Sequence, residues 1–307
     1  MSLKPRHSVC LLGALCALWS CGDADSVEVA PKAPEVSALL PRAKPVVTTQ
    51  AVNPNPLDLP ARKLDLAPGT VVYAVPVAML RGAKLGSAFQ LRATTVAGKD
   101  RDFLLIDGGE DPDYPLHPSY LVVHQPGART PRLNQPVITS FAGLLRHGVV
   151  KGMSKNKVSV RLTDTPQHGD RLLEAEQLMA QSDGFAPGNY VAWRTGEGYE
   201  HMLLVAPVAG EGKDATEWLA LGYGGASAIV KTADLVLIPV TYEPKVGTAV
   251  WAEHLGKMRR GVVSDVNKPA VFSVKFERAG GAVSLGWGAL MPPYVPANAP
   301  PPKGPRR

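Results

Sequence analysis

Short runs of valine, leucine, isoleucine, threonine and aromatic residues, each closed by glycine, proline, asparagine or aspartate, fill the chain from residue 68 to residue 293. No stretch among them carries the spacing of a long amphipathic helix, so the core must come from many short antiparallel strands. The runs also recur in a common order. A first strand follows a glycine or proline opening at Pro68-Gly69-Thr70-Val71-Val72, at Pro136-Val137-Ile138, at Pro187-Gly188-Asn189-Tyr190-Val191 and at Val246-Gly247-Thr248-Ala249-Val250. A second strand comes next, over residues 89–96, 146–150, 201–206 and 259–263. A third covers residues 103–107, 158–162, 218–221 and 271–276. Each set then ends in a short strand, a tight turn and a leucine-led apolar pair, as at Leu235-Val236 and Leu290-Met291.

The openings lie about 50 to 70 residues apart, a length that suits one small five-stranded barrel. The strand order, the Pro-Gly opening, the Asp107-Gly108-Gly109 turn and the apolar closure resemble Tudor domains and the wider Src-homology-3-like barrels. The resemblance implies an all-β fold of about four tandem five-stranded Tudor-like barrels over residues 67–130, 131–183, 184–243 and 244–294. Separate barrels with boundaries near residues 130, 184 and 243 are expected. A single β-sandwich or barrel over the same span is the alternative. Small barrels bury little apolar surface alone, so neighbours are expected to lean on one another, in pairs or in a row.

The first 20 residues are of another kind. Lys4 and Arg6 precede an apolar run from Val9 to Leu18, and all three cysteines (Cys10, Cys16, Cys21) fall within the first 21 positions. The run is too short to span a bilayer, which takes roughly 20 residues as a helix, and it reads as an export signal. Leu18, Ser20 and Cys21 resemble the cleavage motif of bacterial lipoproteins, with Trp19 departing from the usual small residue. The resemblance implies a signal peptide over 1–20, a lipid on Cys21 and a place in the bacterial cell envelope. Ordinary secretion and a retained anchor are the alternatives. Removing the signal leaves no free thiol, which excludes thiol nucleophiles, thiolate metal sites and redox pairs.

Residues 21–66 are rich in proline, alanine and valine and read as a semi-extended tether between a membrane and the folded body. Residues 295–307 read as a disordered proline-rich tail. The formal charge of +6 is concentrated at the ends, with Lys4 and Arg6 in the signal and Lys303, Arg306 and Arg307 in the last five residues. The body between is nearly neutral and shows no basic cluster, which argues against nucleic acid as a partner.

Tudor-like domains often hold a cationic or methylated side chain in an aromatic cage. The resemblance points to Tyr190, Trp193, Tyr199, Trp218 and Tyr223 of the third set as a candidate cage, with core packing as the alternative. Trp251, Phe272, Phe276 and Trp287 of the fourth set read as packing. The histidines 117, 124, 147, 168, 201 and 254 are scattered and read as surface groups, with no metal or cofactor expected. Glu174 and Glu176 read as a solvated pair on one strand face. No nucleophile elbow, phosphate-cradling loop or recognisable acid pair is present. The reading is a non-catalytic binding or scaffolding module, with an envelope protein as first partner and peptidoglycan as second. An envelope hydrolase with a site built from loops is the alternative from another class.

Overall fold

The four strand sets open with the same turn. The N–H groups of Thr70, Gln135, Asn189 and Thr248 donate to the carbonyls of Ala67, Arg132, Ala186 and Lys245. The third turn residue has a positive φ in each, 85° at Gly69, 61° at Asn134, 87° at Gly188 and 86° at Gly247. This is the type II turn, which favours proline second and requires glycine or asparagine third. Pro68 and Pro187 hold the second place in two sets, Leu133 and Val246 in the others. The expected opening at Pro136 is therefore corrected by two residues, because Asn134 adopts the left-handed conformation that glycine supplies elsewhere.

The computed structural model describes residues 52–82, 91–125, 131–155, 157–164, 168–196, 198–277 and 281–293. The signal segment with Cys21, the tether up to residue 51 and the tail lie outside the described residues. The first set comprises β1 (Val71–Ala74), β2 (Arg92–Asp100), β3 (Phe103–Ile106), β4 (Tyr114–Leu116) and β5 (Leu121–Val123). The second comprises β6 (Pro136–Phe141), β7 (Leu144–Ser154), β8 (Lys157–Leu162), β9 (Asp170–Glu174) and β10 (Leu178–Ala180). The third comprises β11 (Tyr190–Thr195), β12 (Gly198–Ala209), β13 (Glu217–Leu221), β14 (Ser227–Lys231) and β15 (Leu235–Leu237). The fourth comprises β16 (Ala249–His254), β17 (Lys257–Lys268), β18 (Val271–Phe276), β19 (Ala282–Gly286) and β20 (Leu290–Met291). All pairing is antiparallel, and in every set the strands lie in the order fifth, first, second, third, fourth.

A clamp fixes each turn to its second strand. Gly69, Asn134, Gly188 and Gly247 donate N–H to the carbonyls of Val96, Val150, Leu204 and Val263, and those residues donate back to Thr70, Gln135, Asn189 and Thr248. Just past each clamp the ladder to the third strand slips, after Val96, Val150, Leu204 and Val263. A bulge there bends the long second strand, so its first half pairs with the first strand and its second half with the third. The same first-strand position carries buried Val72, Val137, Val191 and Val250, and each fifth strand begins with buried Leu121, Leu178, Leu235 or Leu290. The Gly148 and Gly261 positions face Val160 and Val274 so closely that a Cβ at either would collide with the valine.

The sets are not separate barrels. Among the described residues no ladder joins a fourth strand to the fifth of its set, so the sheets stay open. The first two sets join into one ten-stranded sheet through β2 and β7, at Arg92 and Leu144. The last two join through β12 and β17, at Tyr199 with Met258 and Glu200 with Lys257. Apolar clusters cross the expected boundaries. Leu203, Val205, Leu219 and Leu221 belong to the cluster built on the first set, while Met202, Leu204, Trp218 and Ala220 form the core of the third set itself. β12 and β13 are therefore buried on both faces, as continuous apolar runs require. Val149 of the second set enters the core of the fourth, and Ala192 and Ile238 of the third meet Met258 and Met291.

Part of the expected tether is docked. Leu59 is buried, and Val52, Leu57, Leu64 and Leu66 pack against the first-set cluster. The Leu57 N–H donates to the Tyr120 hydroxyl at 3.2 Å, and the His117 N–H donates to the Pro54 carbonyl at 3.0 Å. Leucines spaced between prolines give this segment its apolar contacts, and a turn over residues 55–58, held by the Asp58 N–H on the Asn55 carbonyl, bends its backbone. Glu174 and Glu176 do not share a strand face. Glu174 caps a 3-10 turn at Ala175–Gln177, through the reciprocal bonds of a capping box, and Glu176 lies inside that turn.

Two expected outcomes follow from this architecture. Leu219→Ala should cost about 2–5 kcal/mol in chemical denaturation, as for a fully buried leucine; a loss under about 1 kcal/mol would show that the first and third sets do not depend on each other. Leu133→Pro and Val246→Pro should each raise stability by about 0.4–1 kcal/mol, because proline presets the turn that Pro68 and Pro187 already preset. Loss of stability in both would mean that the four turns are not equivalent.

Candidate functional site

The five candidate aromatics occupy different surroundings, not one cage. Trp218 is 1% exposed and fills the core of the third set. Trp193 packs against that same core from its edge. Tyr199 meets Trp251 of the fourth set edge-on, with ring centroids 5.2 Å apart. Tyr190 lies between two imidazoles, 3.9 Å from His147 and 5.1 Å from His201. Tyr223 is exposed and backs onto Gly256. Several ring faces elsewhere already carry the chain's own cations: Lys151 over Trp287 at 4.7 Å, Arg171 over Phe141 and Arg260 over Trp251 at 5.2 Å. The fourth-set aromatics are packing as expected, with Phe272, Phe276 and Trp287 all buried.

Three histidines correct the surface reading, while His168 is exposed as expected. His117, His147 and His201 are 3%, 1% and 4% exposed. Three histidines stitch successive sets. His124 shares its Nδ1 with the Tyr73 hydroxyl and donates from Nε2 to the Glu176 carbonyl, first set to second. His147 donates from Nε2 to the Gly188 carbonyl, second set to third. His201 reaches the backbone of Gly288, third set to fourth. His147 and His201 hold the same place, three residues before the bulge residues Val150 and Leu204. Two imidazoles beside a tyrosine look like acid–base machinery, but their burial closes them to substrate. Among the described residues no cluster of three or more histidine, cysteine, aspartate or glutamate side chains is placed to hold a metal ion.

Among several grooves of similar volume, one of about 620 Å³ lies where three sets meet. Its walls are the segments just past the fifth strands: Gln181, Ser182 and Asp183 after β10, Ile238 to Thr241 after β15, and Pro292 and Pro293 after β20. The volume lies within the range of about 300–1,000 Å³ usual for ligand sites. Asn189, the last residue of the third opening turn, sits in the wall at 2% exposure. Its Nδ2 donates to the carbonyls of Ser182 at 2.8 Å and Gly184 at 2.7 Å, which shapes one lip. Two polar atoms of the lining, Asn189 Oδ1 and Gln181 Oε1, are buried acceptors with no hydrogen bond among the described residues. Asp183 is the one ionisable side chain of the lining. Sequence reasoning missed this groove. The proline endings at Pro239 and Pro292 were its only local sign.

The buried histidines give a pH dependence. Burial holds the His147 imidazole below its ordinary 6.5, at about 4, against the pull of the Gly188 carbonyl. Burial, and next the neighbouring His147, push His201 down to about 3. Between those values and 6.5 the unfolded chain binds more protons than the folded one. Stability is therefore full above about pH 6.5 and falls toward pH 4, by up to about 1.4 kcal/mol per pH unit for each histidine. Denaturation between about pH 7 and pH 5 should show this slope, and His147→Asn should make it shallower. An unchanged slope in the variant would remove His147 as its source.

Compared with known proteins, the chain matches no family model and no curated protein.

Proposed function

We propose that this chain is a non-catalytic, lipid-anchored protein of the bacterial cell envelope that binds a protein or peptide partner. Its head comprises four Tudor-like five-stranded units fused by shared cores and open between their fourth and fifth strands. The repeated strand order, the clamped opening turn and the bulged second strand support that reading of each set. The observation that carries the binding role is the groove itself: three repeats build it, and its lining holds apolar side chains and unspent acceptors around a single carboxylate. General acid–base turnover ordinarily pairs titratable groups of different pKa, and this lining has one such group. Anchoring rests on Cys21 in the lipoprotein-like motif. Among the described residues no helix is long and apolar enough to cross a membrane.

Fractionation of cells making the full chain tests the anchor. Cys21→Ala should move the protein from membranes to the soluble fraction and abolish incorporation of labelled fatty acid; unchanged partitioning with no lipid label on the unaltered protein would refute it. Sedimentation with purified peptidoglycan tests the partner class. The protein should stay in the supernatant, and pelleting that Thr241→Trp prevents would replace a protein partner with the cell wall.

A further inference from the structure

The chemistry of the groove selects its ligand. Four of its lining residues, Pro136, Pro239, Pro292 and Pro293, have no backbone N–H to offer. Three backbone donors in the wall are spent inside the fold. The Gln181 N–H donates to Pro136, the Asn189 N–H to Ala186 and the Ile238 N–H to Tyr190. Both hydrogens of the Asn189 amide are engaged by Ser182 and Gly184, which also fixes Oδ1 as the free atom. No lysine, arginine or histidine lines the groove. The buried side-chain atoms of the lining left without a partner are both acceptors, Asn189 Oδ1 and Gln181 Oε1, and the one charged group beside them is the exposed Asp183 carboxylate. Beside them stand Ile238, Val240 and Met291, an apolar floor.

A buried acceptor without a donor is unfavourable, and a ligand that brings one recovers that loss. An anionic ligand would meet the like charge of Asp183 and leave both buried acceptors unpaired. A neutral apolar ligand would leave both amide oxygens unpaired. A protonated amine supplies three donors and a positive charge, and hydrogen bonds with a charged partner are the stronger kind. Resting on the groove as the binding site, we propose that it takes a short peptide bearing a free primary amine, with the ammonium held by Asp183, Gln181 and Asn189 and the apolar side chains on Ile238, Val240 and Met291. An extended peptide also matches the walls, since each is a strand end leading into a turn or a proline pair.

The test uses the full-length protein and a fluorescent tetrapeptide, Ala-Leu-Ala-Lys, labelled at its carboxyl end, with both amines free or both acetylated. Fluorescence anisotropy should show the free-amine probe binding at least about tenfold tighter than the acetylated one. Asp183→Asn should erase most of that difference while leaving thermal unfolding unchanged, since the residue is exposed. Thr241, also exposed in the lining, allows a charge comparison: Thr241→Arg should weaken the free-amine probe and Thr241→Glu should strengthen it. Equal binding of the two probes, abolished for both by Thr241→Trp, would overturn the amine requirement while keeping the groove as the binding site. Absence of binding by either probe, or binding that no Asp183 or Thr241 variant changes, would overturn both.

Discussion

The rest of the structure depends on the burial of β12 and β13 from both sides. One face, through Met202, Leu204, Trp218 and Ala220, makes the core of the third set. The other, through Leu203, Val205, Leu219 and Leu221, lies against the first set, where β12 contacts β5 and the turn before it. Five short strands bury too little surface to hold themselves, and the shortfall is met by shared faces. The third set also reaches the fourth through Ala192 and Ile238, and the second through the Gly188 carbonyl and His147. It is the hub on which the other three sets converge, and truncation there propagates to every neighbour.

The histidine stitches follow from the same crowding. A buried junction between two sets needs a side chain that spans a gap and satisfies a backbone carbonyl without carrying charge. Neutral imidazole does both, donating from one nitrogen, and burial keeps it neutral. The equivalence of His147 and His201 shows one solution used at two successive junctions. At that strand position the first set has Ala93 and the fourth has Arg260, whose guanidinium lies over Trp251.

The sequence made the strands legible because the physics that ends a strand is local. Glycine, proline and asparagine mark the turns wherever they occur, and nearly every expected run reappears as a strand within a few residues. The fourth-set aromatics were legible for the same reason, since Phe272, Phe276 and Trp287 alternate with or flank apolar core positions. The two-sided burial had a signal that local reading passed over: Met202 to Ala206 is continuously apolar, where a strand with one wet face would alternate. The bulges had no such signal, because they come from clamps to residues far along the chain. The histidines were misplaced because scattered spacing says nothing about which set lies beyond the next turn. The expected cage dissolved because Trp218 and Tyr190 were placed by spacing along the chain, while packing between sets decided their surroundings.

The groove shows how a repeat architecture leaves room for function. The opening turn, the bulge, the valine of the first strand and the leucine of the fifth each have a structural duty in every set. The segment after the fifth strand has no duty common to all four, and it differs between sets: His124 in the first, Gln181 to Asp183 in the second, Ile238 to Thr241 in the third, Pro292 and Pro293 in the fourth. The first uses its segment to stitch itself to the second. The other three bring theirs together, because shared cores draw their fifth strands to one side of the body. Substitution of its exposed members, such as Ser182, Asp183 and Thr241, changes the chemistry of the groove without touching the clamps or the core. A surface of this kind can be tuned to a ligand while the fold beneath it stays fixed. That separation explains why acceptors, an exposed carboxylate and prolines accumulate in the groove, while the residues beneath it repeat.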